Sequence, residues 1–139
     1  MPPISVMIVD ESAPMRQMLT HMLSGDLSIM VVATAEEAQD IETKIATLQP
    51  KVLVMDSAMA KTSSLGLIDK ICAGHAVPII ALVPPGPQGA PIARRALEAG
   101  AFDCLERPEA VADIRDLLAI EQRLRAMVRA AAGSKPPIK

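Results

Sequence analysis

Five short runs of apolar, largely β-branched residues recur along the chain, at 4–9, 29–33, 52–55, 78–83 and roughly 101–105. Each is close to the length of a strand. The segments between them change period. Met15, Met18, Leu19, Met22 and Leu23 follow the i, i+3, i+4, i+7 spacing of an amphipathic helix, as do Ile41, Ile45 and Leu48. Boundary signals agree with this division. Ser12 ahead of Ala13-Pro14 predicts an N-cap with proline in the first turn, and Gly100 after 90–99 suits a left-handed helix stop. Ser63-Ser64 reads as the cap of a third helix rather than as a nucleophile, since no base is paired with it.

The pattern is therefore strand-helix repeated five times. Near-continuous apolar strands alternating with helices predict a parallel sheet covered on both faces, and right-handed crossovers make it doubly wound. Such sheets bind ligands beyond the carboxyl ends of their strands, where the strand order reverses. The last helix is expected over 109–131, longer than the sheet beneath it needs, with distal turns available to a partner. Gly, Ser and paired prolines then stop it, so the chain is read as one domain over 1–131 and a linker or tail over 132–139.

Composition narrows the function classes. At 139 residues, half of them hydrophobic, the chain is long enough for one self-supporting core. A net charge of -2 with scattered basic residues supplies no nucleic-acid footprint. The opening MPPISVMIVDE has no basic stretch and its apolar run meets an acid within a strand's length, so it is neither a signal peptide nor a membrane span, and the cytoplasm is expected. Phe102 is the one aromatic residue, so nine methionines and the aliphatics must fill the core. Cys72 and Cys104 stand in apolar runs as small hydrophobes, and His21 and His75 have no second histidine at ligand spacing. The glycine motifs of nucleotide-binding loops and serine hydrolases are absent.

The candidate chemistry is acidic. Asp10 and Glu11 close the first strand and Asp56 closes the third, so a sheet of order 2-1-3-4-5 brings three carboxylates to its switch point. Crowded carboxylates repel unless protonation or a cation relieves them, and hard oxygen donors suit Mg²⁺. Capping and turn formation would account for Asp10 or Asp56 taken singly.

The segments ISVMIVDESAPMRQMLTHML, VLVMDSAM and ALEAGAFDCLERP resemble the receiver domain of response regulators, and in particular the amino-terminal receiver of chemotaxis methylesterase (CheB-type) regulators. The resemblance covers roughly residues 4–120. It implies the CheY-like, flavodoxin-like (βα)5 three-layer α/β sandwich, a role in a two-component phosphorelay, Asp56 as phosphoacceptor, and Mg²⁺ held by Asp10, Glu11, Asp56 and the backbone carbonyl of Ala58. Any enzymatic activity would then be autocatalytic phosphotransfer and dephosphorylation at Asp56, with no methylesterase domain in this chain. The implied partners are a histidine kinase or phosphotransfer protein and a partner protein or effector domain met through helices 4 and 5. No nucleic acid or membrane is among them.

Several positions depart from the family. Val83 stands where receivers carry a Ser or Thr that grips the phosphoryl oxygen, Arg107 replaces their lysine, Cys104 replaces a switching aromatic, and Ala60 replaces a proline. The resemblance also implies a cis bond between Arg107 and Pro108. Arginine keeps the charge but offers a planar fork in place of a compact ammonium. Two readings stay open: an inducible receiver, or a degenerate pseudo-receiver acting without phosphorylation. In the second, Arg107 pairs Asp56 internally and helices 4 and 5 dimerise or engage a partner. The loop 84–91, with four prolines, borders the site and is expected to be stiff.

Overall fold

The structure, a computed structural model, describes residues 2–59, 63–108 and 113–134. Strands β1 (Ile4–Val9), β2 (Ile29–Ala35), β3 (Val52–Asp56), β4 (Ile79–Val83) and β5 (Asp103–Glu106) alternate with helices α1 (Ala13–Ser24), α2 (Ala38–Leu48), α3 (Ser64–Gly74), α4 (Gly89–Glu98) and α5 (Ile114–Ala132). All strand pairings are parallel, in the order β2-β1-β3-β4-β5.

The two-residue period of each central strand divides its side chains between two cores. Val6, Ile8, Val52, Val54, Ile80 and Leu82 face α1 and α5. Met7, Val9, Leu53, Met55, Ile79 and Ala81 face α2, α3 and α4. Burial on both faces is the physical reason these strands read as unbroken apolar runs. β1 and β2 slip register between Val6 and Met7, which pair with Val31 and Ala33 and leave Val32 as a bulge.

The boundary residues act as their chemistry predicts. Ser12 Oγ accepts from the Met15 amide, Ser63 Oγ from Gly66, and the Asp113 carboxylate from Arg115. Gly100 follows α4 at φ 118, a conformation L side chains rarely adopt. The strands differ by one or two residues from the apolar runs. β2 continues over Thr34 and Ala35 because ladder bonds extend past the hydrophobic segment, and β4 begins after Pro78, which has no amide proton to donate.

The expected start of the last helix at Glu109, Ala60 and the tail at 135–139 lie outside the described residues. The distal turns of α5 pack inward: Leu124, Val128 and Ala131 are buried against α1. Arg125 reinforces this by donating to the Met22 carbonyl, and Arg129 pairs with Asp26. The exposed apolar residues of α5 are instead Ile114 and Leu118, in its first turns. Both cysteines are free thiols. Among the described residues no helix is long and apolar enough to cross a membrane.

Candidate functional site

Asp10 directly follows β1 and Asp56 ends β3, so adjacent parallel strands deliver both carboxylates to one rim of the sheet. Each is tied to its own loop. The Asp10 amide donates to Ala35 O at 3.0 Å, while its Oδ1 accepts from the Ser12 amide at 2.9 Å. Asp56 Oδ1 accepts from the Ala58 amide at 3.0 Å. Ser57, immediately beyond, donates from both its amide and its Oγ to Leu82 O, at 2.9 and 2.6 Å, which pins the Asp56 loop to β4.

Arg107 enters the same rim from β5. Its amide donates to Val83 O at 2.9 Å, extending the β4–β5 ladder by one residue and aiming the side chain across the strand ends. The guanidinium then forks: Nη2 lies 3.3 Å from Asp10 Oδ2 and Nη1 lies 3.3 Å from Asp56 Oδ2. The side chains are 16%, 0% and 2% exposed for Arg107, Asp10 and Asp56, so this bridge is largely shielded from water. Burial pushes the Asp10 carboxyl above its usual range, and the Asp56 charge adds to that. The Ser12 amide, Arg107 and Arg16 oppose it.

Sequence reasoning missed Arg16. Its Nη1 donates to the Asp10 carbonyl at 2.9 Å and sits 3.5 Å from Glu36 Oε2, so α1 and the end of β2 brace the acidic loop. A basic residue six positions after a strand-ending acid was the available signal. Ser64 is buried rather than capping, and its Oγ accepts from the Met59 amide.

Two of the divergent positions, Val83 and Cys104, stand on the neighbouring strands β4 and β5. Val83 is buried and offers no hydroxyl. Cys104 is half-buried, with Sγ 3.6 Å from Ala93 O, and burial first, then the Asp103 charge, pushes its thiol up to about 11. It is a poor nucleophile at neutral pH. Both border a groove of about 280 Å³ with Pro84, Gly86, Gly89 and Arg123. Gly86 has φ 81, and a Cβ on Gly89 would fall 2.2 Å from Pro84 O. The Arg107–Pro108 bond corrects the expectation of a cis peptide: it is trans, as no cis bond occurs among the described residues.

Glu11 is half-buried beside Asp10. Among the described residues, no group of three His, Cys, Asp or Glu side chains stands close enough to hold a metal. The donors do fit a hard divalent cation of the kind that keeps much of its water, which needs one or two carboxylates and not a full protein cage. Asp10 and Asp56 supply those carboxylates, and against Arg107 they leave the trio one negative charge in excess. His75 Nε2 lies 3.5 Å from Glu42 and His21 is exposed, both away from this rim.

Comparison with known proteins agrees with this fold. A protein-glutamate methylesterase/protein-glutamine glutaminase of Symbiobacterium thermophilum is 35% identical over 99% of this chain, and one from Myxococcus xanthus is 35% identical over 95%. The chain spans 38% of the length of each of these relatives. Among solved structures, the response regulator domain of Thermotoga maritima CheB superposes with a TM-score of 0.83 at 25% identity, covering 96% of this chain and 99% of that one. A chain of the crystal structure of the P1 domain of CheA3 in complex with CheY6 from R. sphaeroides superposes with a TM-score of 0.73 at 25% identity, covering 91% of this chain and 99% of that one. The family model described as the response regulator receiver domain matches residues 6–119, most of the chain, and with the sheet order it establishes that the chain belongs to the receiver domain family of response regulators.

Proposed function

We propose that this chain is a phosphoryl-accepting receiver of a two-component phosphorelay in the cytoplasm, with Asp56 as the acceptor. The observation that carries the reading is the meeting of buried Asp10 and Asp56 on one guanidinium at the carboxyl ends of β1 and β3. An acceptor carboxylate must be held still, kept from bulk water and surrounded by groups that tolerate added negative charge. Asp56 has the Ala58 amide on one oxygen and Arg107 on the other. The Ser57 anchor on β4 fixes its loop.

In the step proposed, an Asp56 oxygen forms a P–O bond as the P–N bond of a phosphohistidine donor breaks, and the leaving imidazole takes up a proton. Asp10 and Asp56 would hold Mg²⁺ directly, Glu11 through water, and the Ala58 carbonyl would complete the shell. When bound, the ion would screen the carboxylates and neutralise charge on the transferring oxygens. Arg107 supplies the fixed positive charge, and its fork suits two phosphoryl oxygens. The partner would be a histidine kinase or phosphotransfer protein. Output contact would use α4 and α5, where Leu97, Ile114 and Leu118 are exposed.

A second reading is favoured by one specific feature: Val83 offers no hydroxyl while Arg107 already pairs with both acids. It is a pseudo-receiver that contacts its partner without phosphorylation. Incubation with a small-molecule phosphodonor and Mg²⁺, followed by intact mass measurement, separates the two. The first requires one added phosphoryl group, absent in Asp56→Asn; an unchanged mass would leave the second.

A further inference from the structure

We infer that α4 is clamped by the fold itself, so that the surface it presents is the same whatever the state of Asp56. This rests on the proposed reading only in taking Asp56 as the group whose charge changes. The clamp begins in the loop that carries β4 into α4. Pro84, Pro85 and Pro87 each fix one backbone angle there, and Pro91 does the same in the first turn of the helix. Gly86 turns the chain at φ 81, and its carbonyl accepts from the Gly89 amide at 3.1 Å. Gly89, the first residue of α4, then lies so near β4 that a Cβ would strike the Pro84 oxygen and press on Val83 Cγ2 at 3.3 Å.

The rest of the helix is held along its length. Cys104 Sγ, on β5, donates to the Ala93 carbonyl at 3.6 Å, and Ala96 is fully buried in the core. At the far end the Ala99, Gly100 and Ala101 amides return to the carbonyls of Arg95, Leu97 and Ala96 at 2.9, 3.1 and 3.0 Å. The Phe102 amide then bonds to Ile79 O of β4 at 2.8 Å. Both ends of α4 are therefore tied by backbone to β4.

A change at Asp56 can move α4 only through a group that interacts differently with two arrangements of the helix. Ser57 ties the Asp56 loop to Leu82 O, a carbonyl inside β4, by its amide and its hydroxyl at 2.9 and 2.6 Å. Leu82 is paired with Asp56 on one side and with Leu105 on the other, which fixes it within the sheet. The next residue toward α4 is Val83, whose buried side chain carries no donor or acceptor to follow charge arriving on Asp56. Charge added at the rim thus meets packed aliphatic atoms and a backbone clamp before it meets the helix. A partner that reads α4, where Leu97 is exposed, then binds the same surface before and after modification of Asp56.

The test maps backbone amide shifts of the full chain by NMR under two perturbations of Asp56: beryllofluoride with Mg²⁺, which mimics a phosphoryl group, and the variant Asp56→Asn. Shifts should change around 10–12, 56–59 and 107, while residues 90–98 stay within the spread of repeat spectra. Hydrogen exchange tests the clamp itself. In the triple variant Pro84→Ala, Pro85→Ala, Pro87→Ala the α4 amides should exchange faster by about tenfold, because each proline restricts the open loop. Shifts in 90–98 that follow either perturbation overturn the inference, as does unchanged exchange in the triple variant. Should beryllofluoride leave the rim unshifted, the proposed acceptor reading fails, and Asp56→Asn alone decides the clamp.

Discussion

Replacing Arg107 by methionine keeps an apolar stem of similar reach but deletes the charge between two buried carboxylates, and its cost can be worked out in advance. The remaining pair, 0% and 2% exposed, would meet with no guanidinium between them, so one is expected to take up a proton when the chain folds. An ordinary aspartate ionises with a value of 3.8. Holding it protonated costs about 1.4 kcal/mol for each pH unit above that value, hence about 4 kcal/mol at pH 7 and about 1.6 kcal/mol at pH 5.

The neutral-pH figure agrees with the roughly 3–5 kcal/mol typical of breaking one side of a buried ion pair. It is a large fraction of the roughly 5–15 kcal/mol that stabilises a domain, and should lower the melting temperature by about 10 °C or more. The direction with pH follows from proton binding: the folded variant holds a proton the unfolded chain has released, so the penalty grows as pH rises above 3.8 and vanishes below it. Urea denaturation by far-UV circular dichroism at pH 5, 6 and 7, with a chelator present, measures it. Adding Asp56→Asn to the variant should recover most of the loss. A penalty below about 1 kcal/mol at pH 7, or one that does not change with pH, would mean that the guanidinium does not carry the charge balance of the site.

Two further outcomes concern the elements that frame the site. Gly89→Ala should cost about 1–3 kcal/mol, because its Cβ would press on the backbone oxygen of Pro84 at 2.2 Å and the loop cannot yield as a side chain would; a urea midpoint unchanged from the wild type would contradict the close approach. Asp26 accepts from the Ser28 hydroxyl and amide at 2.6 and 2.8 Å and faces Arg129, which together hold its carboxyl below the usual value. The stability it contributes is present above 3.8 and lost as pH falls through the lower folded-state value. Acid titrations of Asp26→Asn should therefore show a shallower loss of stability below pH 4, and an acid limb identical to the wild type's would refute this.

The architecture was legible because its determinants are local or periodic. Doubly buried parallel strands leave continuous apolar runs, and Ser12, Pro14, Ser63 and Gly100 carry boundary chemistry that depends on few neighbours. The positions of Asp10 and Asp56 followed from the same logic, since a strand's last residues must lie at its carboxyl rim. Even the departures at Val83, Cys104 and Arg107 could be named once the resemblance to the receiver family had aligned them.

What tertiary structure decided was which charges share a contact. The pairing of Arg107 with Asp56 was an expectation of the second reading and is present, but Arg107 and Asp10 stand 97 residues apart, and no periodicity specifies that the same guanidinium should also reach Asp10. Arg16 bracing the acidic loop and Ser57 anchoring the Asp56 loop on Leu82 depend likewise on how strands and helices come together. So does the inward packing of the distal turns of α5, which the amphipathic stripe allowed but did not assign to α1. Hydrophobic patterning records which face of an element is buried, because burial acts on each residue separately. Pairing between distant polar groups depends on distance and direction, and these exist only once the sheet has assembled.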